Sequence, residues 1–215
     1  PLREQHRGLL TDMFCFIEDI PVPAFERGIP FDWESWGEYR RAFDARGAAV
    51  QVAPLVGHSA LRLFVIGEES IERASTPEET RAIADCFAAC LRDGALGLST
   101  SFIDTNREGR PVPSRAADEA EFQALARVMR EAGRGVVGLV PRSPQQETHL
   151  EDIERIHRVC QTAGVAGTWT QLTRGGADPA FTETLMEQAR RTQREGPGVF
   201  PQVSPRPFDI TVNFK

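Results

Sequence analysis

Short apolar runs alternate along the chain with longer stretches whose apolar residues return every three or four positions. The runs are Val50 to Val56, Ala95 to Leu98, Val136 to Val140, Val165 to Leu172 and Val199 to Val203. Near-continuous apolar runs of this kind predict strands covered on both faces, the habit of parallel sheets. Between them Ile83, Phe87, Cys90 and Leu91 form one helical face, and Phe122, Leu125, Val128 and Met129 a second. Ile153, Ile156 and Cys160 form a third, and Phe181, Leu185 and Ala189 a fourth. In Thr76-Pro77-Glu78-Glu79 a cap, a first-turn proline and two carboxylates meet the positive end of a helix dipole. Thr148-His-Leu-Glu151 reads as a capping box, and Asp178-Pro179 opens the last helix. The pattern predicts parallel, consecutive strands near residues 50–56, 95–100, 136–140, 166–171 and 199–203, each separated from the next by a helix.

The first 46 residues follow a different plan. Leu9, Leu10, Met13, Phe14 and Ile17 predict one helix, stopped by Pro21 and Pro23. Asp32 then offers a cap for a helix with Trp33, Trp36 and Phe43 on its inner face and Arg40, Arg41 and Arg46 in water. Rings at that spacing mark a buried helical face; they also suit the wall of a substrate pocket.

These alternations describe an α/β protein. Strand-to-strand spacing shortens from about 45 residues to about 31, and about 250 residues over eight units gives about 31 per unit in a TIM barrel. The fold class is read as a partial (β/α) barrel of about five staves. An open doubly wound sheet also satisfies the alternation, but no Gly-x-Gly-x-x-Gly follows the first strand and there is no phosphate loop.

Chemistry in such folds is built beyond the C-terminal ends of the strands. The first strand ends in Gly57 and is followed by His58, Ser59 and Arg62; the second ends in Ser99, Thr100 and Ser101. A polar loop from Asp104 to Ser114 follows, long enough to be a lid or binding loop as well as plain surface. Arg142, Arg174 and Arg206 each follow a predicted strand, and Gln171 ends one. The candidate substrate contacts are therefore His58, Ser99, Ser101, Arg142, Gln171, Arg174 and Arg206. A guanidinium grips a carboxylate through two parallel bonds. Each arginine also suits a surface salt bridge, and His58 with Ser59 also suits capping a helix and fixing a loop. No residue is assigned as a catalytic group or a metal ligand.

Net charge is −6 with no basic stripe, so nucleic acid and anionic membrane are poor partners; a small molecule is the partner expected. No run approaches the ~20 apolar residues of a membrane span. The four cysteines lack a framework spacing and fit a reducing cytoplasm. Cys86 and Cys90 share a helical face, as two core thiols or as a thiolate metal pair. His6, His149 and His157 read as surface or cap residues. The chain begins at Pro1 without a methionine and ends in an apolar run without a cap, so both termini look cut and residues 1–215 read as one incomplete catalytic-barrel domain.

Six segments together carry a resemblance. They are Glu18-Asp-Ile-Pro21, Gly28-Ile-Pro-Phe-Asp-Trp-Glu34, Val56-Gly-His-Ser-Ala-Leu-Arg62, Ala74-Ser-Thr-Pro-Glu-Glu79, Gly94-Ala-Leu-Gly-Leu-Ser-Thr100 and Pro111-Val-Pro-Ser114. The chain resembles the N-acyl-D-amino-acid deacylases, or D-aminoacylases, of the metal-dependent amidohydrolase superfamily. The resemblance implies a TIM barrel with a small β domain, and hydrolysis of an N-acyl amino acid by a zinc-activated water. It places the family's His-x-His and Asn-Cys-Gly segments before Pro1 and its catalytic aspartate after Lys215. Zinc is therefore expected in the intact protein and not in this stretch alone, which is expected to be inactive by itself. At two positions where the family implies metal histidines, this chain has Val140 and Gln171, neither a normal zinc ligand. That departure suits an altered metal site. It equally suits a non-catalytic barrel or binding module.

Overall fold

A computed structural model describes residues 1–142, 147–172 and 179–204. Three helices come first: α1 (Arg7–Ile17), α2 (Val22–Gly28) and α3 (Trp36–Arg46). The alternation then runs β1 (Leu55–Gly57), α4 (His58–Val65), α5 (Pro77–Arg92), β2 (Gly97–Ser101) and α6 (Glu119–Ala132). It continues through β3 (Val137–Val140), α7 (Glu147–Ala163), β4 (Gly167–Trp169), α8 (Pro179–Glu195) and β5 (Val199–Pro201). The sheet order is β1-β2-β3-β4-β5 and every pair is parallel. With no reversal of strand order, right-handed crossovers put the connecting helices on one side of the sheet. These are consecutive staves of a (β/α) barrel.

The strands are shorter than the apolar runs. Leu55 lies level with Gly97, the first residue of β2, so Val50 and Val52 have no strand beside them and are 71% and 49% exposed. Below that level a single backbone bond, Leu96 N–H to the Pro54 carbonyl (3.0 Å), joins the two chains. Helix starts agree in part with the expected signals. Thr76 and Glu79 form a reciprocal capping box on α5, and Asp118 caps α6 by accepting from Glu121 N–H. For α3 the cap is Ser35 with Glu38, not Asp32, because only Ser35 has a glutamate three residues on. Thr148 is the second residue of α7, not the residue before it as the capping-box reading requires.

Strand alternation sorts the sheet into two faces. One carries Val56, Leu98, Thr100, Val137, Leu139, Trp169 and Val199, all buried; apart from Thr100 they form one core with Ile83, Phe87, Phe122, Leu125, Met129, Ile153 and Ile156 from the helices. The other carries Leu55, Ser99, Ser101, Val140, Thr168 and Phe200, which are only half-covered or, for Phe200, exposed. In a barrel that second face lines the interior. A smaller core of Leu2, Leu10, Met13, Leu63 and Val112 ties the N-terminal helices to α4 and to the loop after β2.

Candidate functional site

No loop separates β1 from α4: Gly57 ends the strand and His58 begins the helix. His58 therefore stands at the C-terminal end of β1, but it has the parity of Val56 and turns outward, between sheet and helices. It is fully buried. Its Nε2 lies 2.6 Å from Glu121 Oε1, and its Nδ1 lies 3.1 Å from Thr100 Oγ1. A carboxylate only accepts, so Nε2 carries the proton, and Nδ1 of the neutral ring accepts from the Thr100 hydroxyl. Arg62, one turn further along α4, donates through Nη1 to Glu121 Oε2. Its Nη2 donates to the carbonyls of Ser70 (3.1 Å) and Arg73 (2.6 Å). Ser75 Oγ donates to the same carboxylate oxygen at 2.6 Å. Phe122 packs edge-on against the imidazole with ring centres 5.0 Å apart.

Desolvation pushes the His58 pKa below its ordinary value, even though Glu121 pulls it upward. Burial alone pushes Glu121 up, but the bond from His58 and the charge of Arg62 outweigh it and hold the carboxyl below its ordinary range. The cluster is thus a neutral imidazole beside a buried Glu–Arg ion pair. The expectation that His58 contacts substrate is corrected here. Both ring nitrogens are engaged and no surface is left, because side-chain parity sends position 58 to the helix side.

Ser59, the next residue, accepts from the backbone N–H of Ser114 (3.1 Å). Ser114 Oγ in turn donates to the carbonyl of Ser101 (2.8 Å). These bonds fasten the segment 102–116 to the ends of β1 and β2. Within that segment Asn106 Oδ1 accepts from the N–H groups of Glu108 and Arg110, and an antiparallel bridge joins Thr105 to Pro111. Arg107 pairs with Asp12 of α1, and Arg110 with Glu72. Val112 is buried in the N-terminal core, and Ser114 is buried as well. Three of the segments quoted for the resemblance, Gly-His-Ser, Gly-Leu-Ser-Thr and Pro-Val-Pro-Ser, therefore meet at one junction.

Ser99 and Ser101 point to the interior face, level with Gly138 and Val140 of β3. The Ser101 hydroxyl accepts from Asp104 N–H (3.1 Å), which turns the chain out of the strand. Arg142 follows β3, but Asp152 of α7 takes its guanidinium through Nε and Nη2 and also accepts its backbone N–H. Its charge is thus already met by a buried carboxylate. Gln171 lies just beyond β4 and is half-buried. Arg174 and Arg206 lie outside the described residues. His6, His149 and His157 are buried, not on the surface as expected; His6 does stand at the N-cap position of α1, without a side-chain cap bond, and the other two lie within α7. His149 bonds to the Arg142 carbonyl (3.0 Å) and packs edge-on against Trp169. Cys90 is buried and Cys86 half-buried, both as free thiols.

The described residues do not fit a zinc site. None of the five strands contains a histidine, cysteine, aspartate or glutamate, and no cluster of three such residues able to hold a metal occurs among the described residues. A cleft of about 530 Å³ is lined by Trp36, Tyr39, Phe43, Val50 and Gly94 among others, but it opens at the N-terminal ends of β1 and β2. That is the end where barrels carry stability and not chemistry. No helix among the described residues is long and apolar enough to cross a membrane.

No family model matches the chain. It is similar to the D-aminoacylase of Alcaligenes xylosoxydans xylosoxydans, 36% identical over 80 residues, which covers 37% of this chain and 16% of that protein. In structure it is similar to a D-aminoacylase mutant in complex with copper chloride, with a TM-score of 0.65 and 24% identity over 80% of this chain and 34% of that one. It is also similar to the N-acyl-D-glutamate deacylase of Bordetella bronchiseptica complexed with zinc and a phosphonate mimic of the tetrahedral intermediate. That match has a TM-score of 0.62 and 26% identity over 80% of this chain and 34% of the other. The chain thus spans about a third of the solved relatives and is matched over about a sixth of the curated one. Sequence and structure agree on the same amidohydrolase relatives and on the barrel.

Proposed function

We propose that this chain, similar in sequence and fold to D-aminoacylase and N-acyl-D-glutamate deacylase, is the central part of a barrel hydrolysing the amide of an N-acyl amino acid. Residues 1–215 are then one incomplete barrel domain, with the ligand held at the C-terminal ends of its strands. The observation that carries this reading is the convergence of the three resembling segments at the ends of β1 and β2, where they build the wall of the mouth. In this reading Ser99 and Ser101 face the ligand. Ser101 keeps its own hydroxyl proton for a ligand acceptor, since its oxygen is the acceptor toward Asp104. Gln171 supplies an amide from the far side of β3. Arg142, Arg174 and Arg206 remain the candidate grips for the substrate carboxylate, with Arg142 the weakest because Asp152 already engages it.

The relatives' zinc would supply a Lewis acid and an activated water, but its ligands cannot come from the strand residues described here. That observation favours a second reading, a barrel that binds an N-acyl amino acid without cleaving it. The full-length protein, assayed with N-acetylated D- and L-amino acids for release of the free amine, separates the two. Release from at least one of them supports the enzyme. Calorimetric binding with no release supports the binding module, and neither binding nor release contradicts both.

A further inference from the structure

The segment 102–116 leaves the mouth directly after Ser101, and a loop of this length in this place can serve as a lid. Its bonding is that of a wall. Its tip closes on itself through Asn106, whose side chain is buried although residues 107–111 around it are exposed. Its sides are tied to α1 and to the turn after α4 by Arg107–Asp12 and Arg110–Glu72. Its far end is seated by Val112 in the small core and by Pro113, the first residue of a 3-10 turn, Pro113–Ala116. Arg115 reaches back to the carbonyls of Ile103 and Asp104 (3.0 and 3.3 Å), closing the loop on its own first residues.

We propose that Ser59 and Ser114 are positioning residues that lock this segment as a fixed wall of the ligand site, and that it does not open as a lid. The inference rests on the reading of the mouth as the ligand site and adds to it how one side of that site is set. Ser114 is the junction. Its N–H is held by Ser59 at the start of α4, and its hydroxyl holds the Ser101 carbonyl at the end of β2. The neighbouring pair makes the matching bond from the other side of the strand, His58 to Thr100. Thr100 and Ser101 are thereby gripped from the helix layer and from the loop together. The interior-facing hydroxyls of Ser99 and Ser101 inherit that fixed position. Neither Ser59 nor Ser114 needs to touch the ligand to do this.

The test uses the full-length protein with Ser114→Ala and, because Ser114 is buried, Ser59→Ala as a second variant at a half-exposed position. Two readings are taken. Trypsin cleavage after Arg107, followed by mass spectrometry, reports opening of the loop independently of any ligand. Both variants are expected to be cut about fivefold faster than wild type, the factor that one neutral hydrogen bond supplies. With an N-acyl amino acid that the protein turns over or binds, KM or Kd is expected to rise about fivefold with kcat within about twofold, the pattern of lost positioning rather than lost chemistry. Ser59→Thr, which keeps the acceptor oxygen, is expected to restore both readings. Unchanged cleavage at Arg107 in both alanine variants overturns the latch. Faster cleavage with unchanged KM or Kd overturns the link to the ligand site. If wild type binds no N-acyl amino acid, the proposed function has failed, while the cleavage rates still decide whether the latch exists.

Discussion

Glu121 holds a negative charge where no water reaches it, and Arg62, His58 and Ser75 stabilise it. Removing the carboxylate leaves Arg62 charged and buried among neutral groups, a loss of about 3–5 kcal/mol in comparable sites. Glu121→Ala in the full-length protein is therefore expected to lower the denaturant midpoint far more than the loss of an exposed ion pair such as Arg190–Glu187, which solvent screens. Equal midpoints would contradict the buried pair. The same cluster sets a pH dependence. The folded-state pKa of His58 lies below its ordinary value of 6.5, so under acid the unfolded chain takes up the proton first. The stability contributed by the neutral ring is full above that value and is lost as pH falls below it. Glu121, held below 4.5, adds a loss in the same direction at lower pH. Melting temperature is expected to fall as pH drops below 6.5, and to fall less in His58→Gln across the upper part of that range. A profile flat from neutral down through that range would contradict the assignment. The sequence marks position 58 as the end of a strand, but strand parity, counted from Val56, was the signal that its side chain turns outward. Glu121 carried no signal of its own. Its partners lie 59 and 63 residues away, and only folding brings them together.

At the scale of elements, the start of α5 was legible, because Thr76 and Glu79 lie within four residues and form the box. Short spacing alone did not decide the others: Asp32 was read as the cap of α3 where Ser35 with Glu38 caps it, and Thr148 lies inside α7. Thr76→Ala is expected to cost about 1 kcal/mol, up to about 2, by urea melting, because the cap satisfies an otherwise orphan N–H of α5. A change within error would mean that the first turn is held by Glu79 and Arg73 without the cap. The histidines of α7 were misread as surface or cap residues, although their spacing held the signal. His149 and His157 lie four residues either side of Ile153, on the same inner face, and both are buried with it. The strand boundaries were less so. An apolar run at residues 50–56 signals burial, but a strand also needs a neighbour at the same level, and β2 supplies one only from Gly97 onward.

At the scale of the molecule, β1 and β5 each pair on one side only among the described residues, and the interior face leaves Phe200 exposed. Unpaired edges and a half-covered apolar face template association. Residues 1–215 expressed alone are expected to self-associate, with a weight-average mass by sedimentation that rises with concentration. A monomer with a sharp cooperative melt would contradict this. The parallel order of the strands was legible, because it follows from apolar runs spaced by helices. The orientation of the mouth residues was only partly so, and Arg142 shows why. A strand-end arginine looks like a grip for substrate until Asp152, ten residues on in the next helix, is seen to fill it.

The central claim is that ligand binds at the C-terminal mouth, against the wall fixed by the ends of β1 and β2. Hydrogen–deuterium exchange of the full-length protein, with and without a saturating N-acyl amino acid, tests it most directly. The account predicts slowed exchange in residues 99–104 and 168–172, with little change in the segment 36–54 that lines the cleft at the opposite end. Protection confined to residues 36–54, with residues 99–104 unaffected, would contradict it.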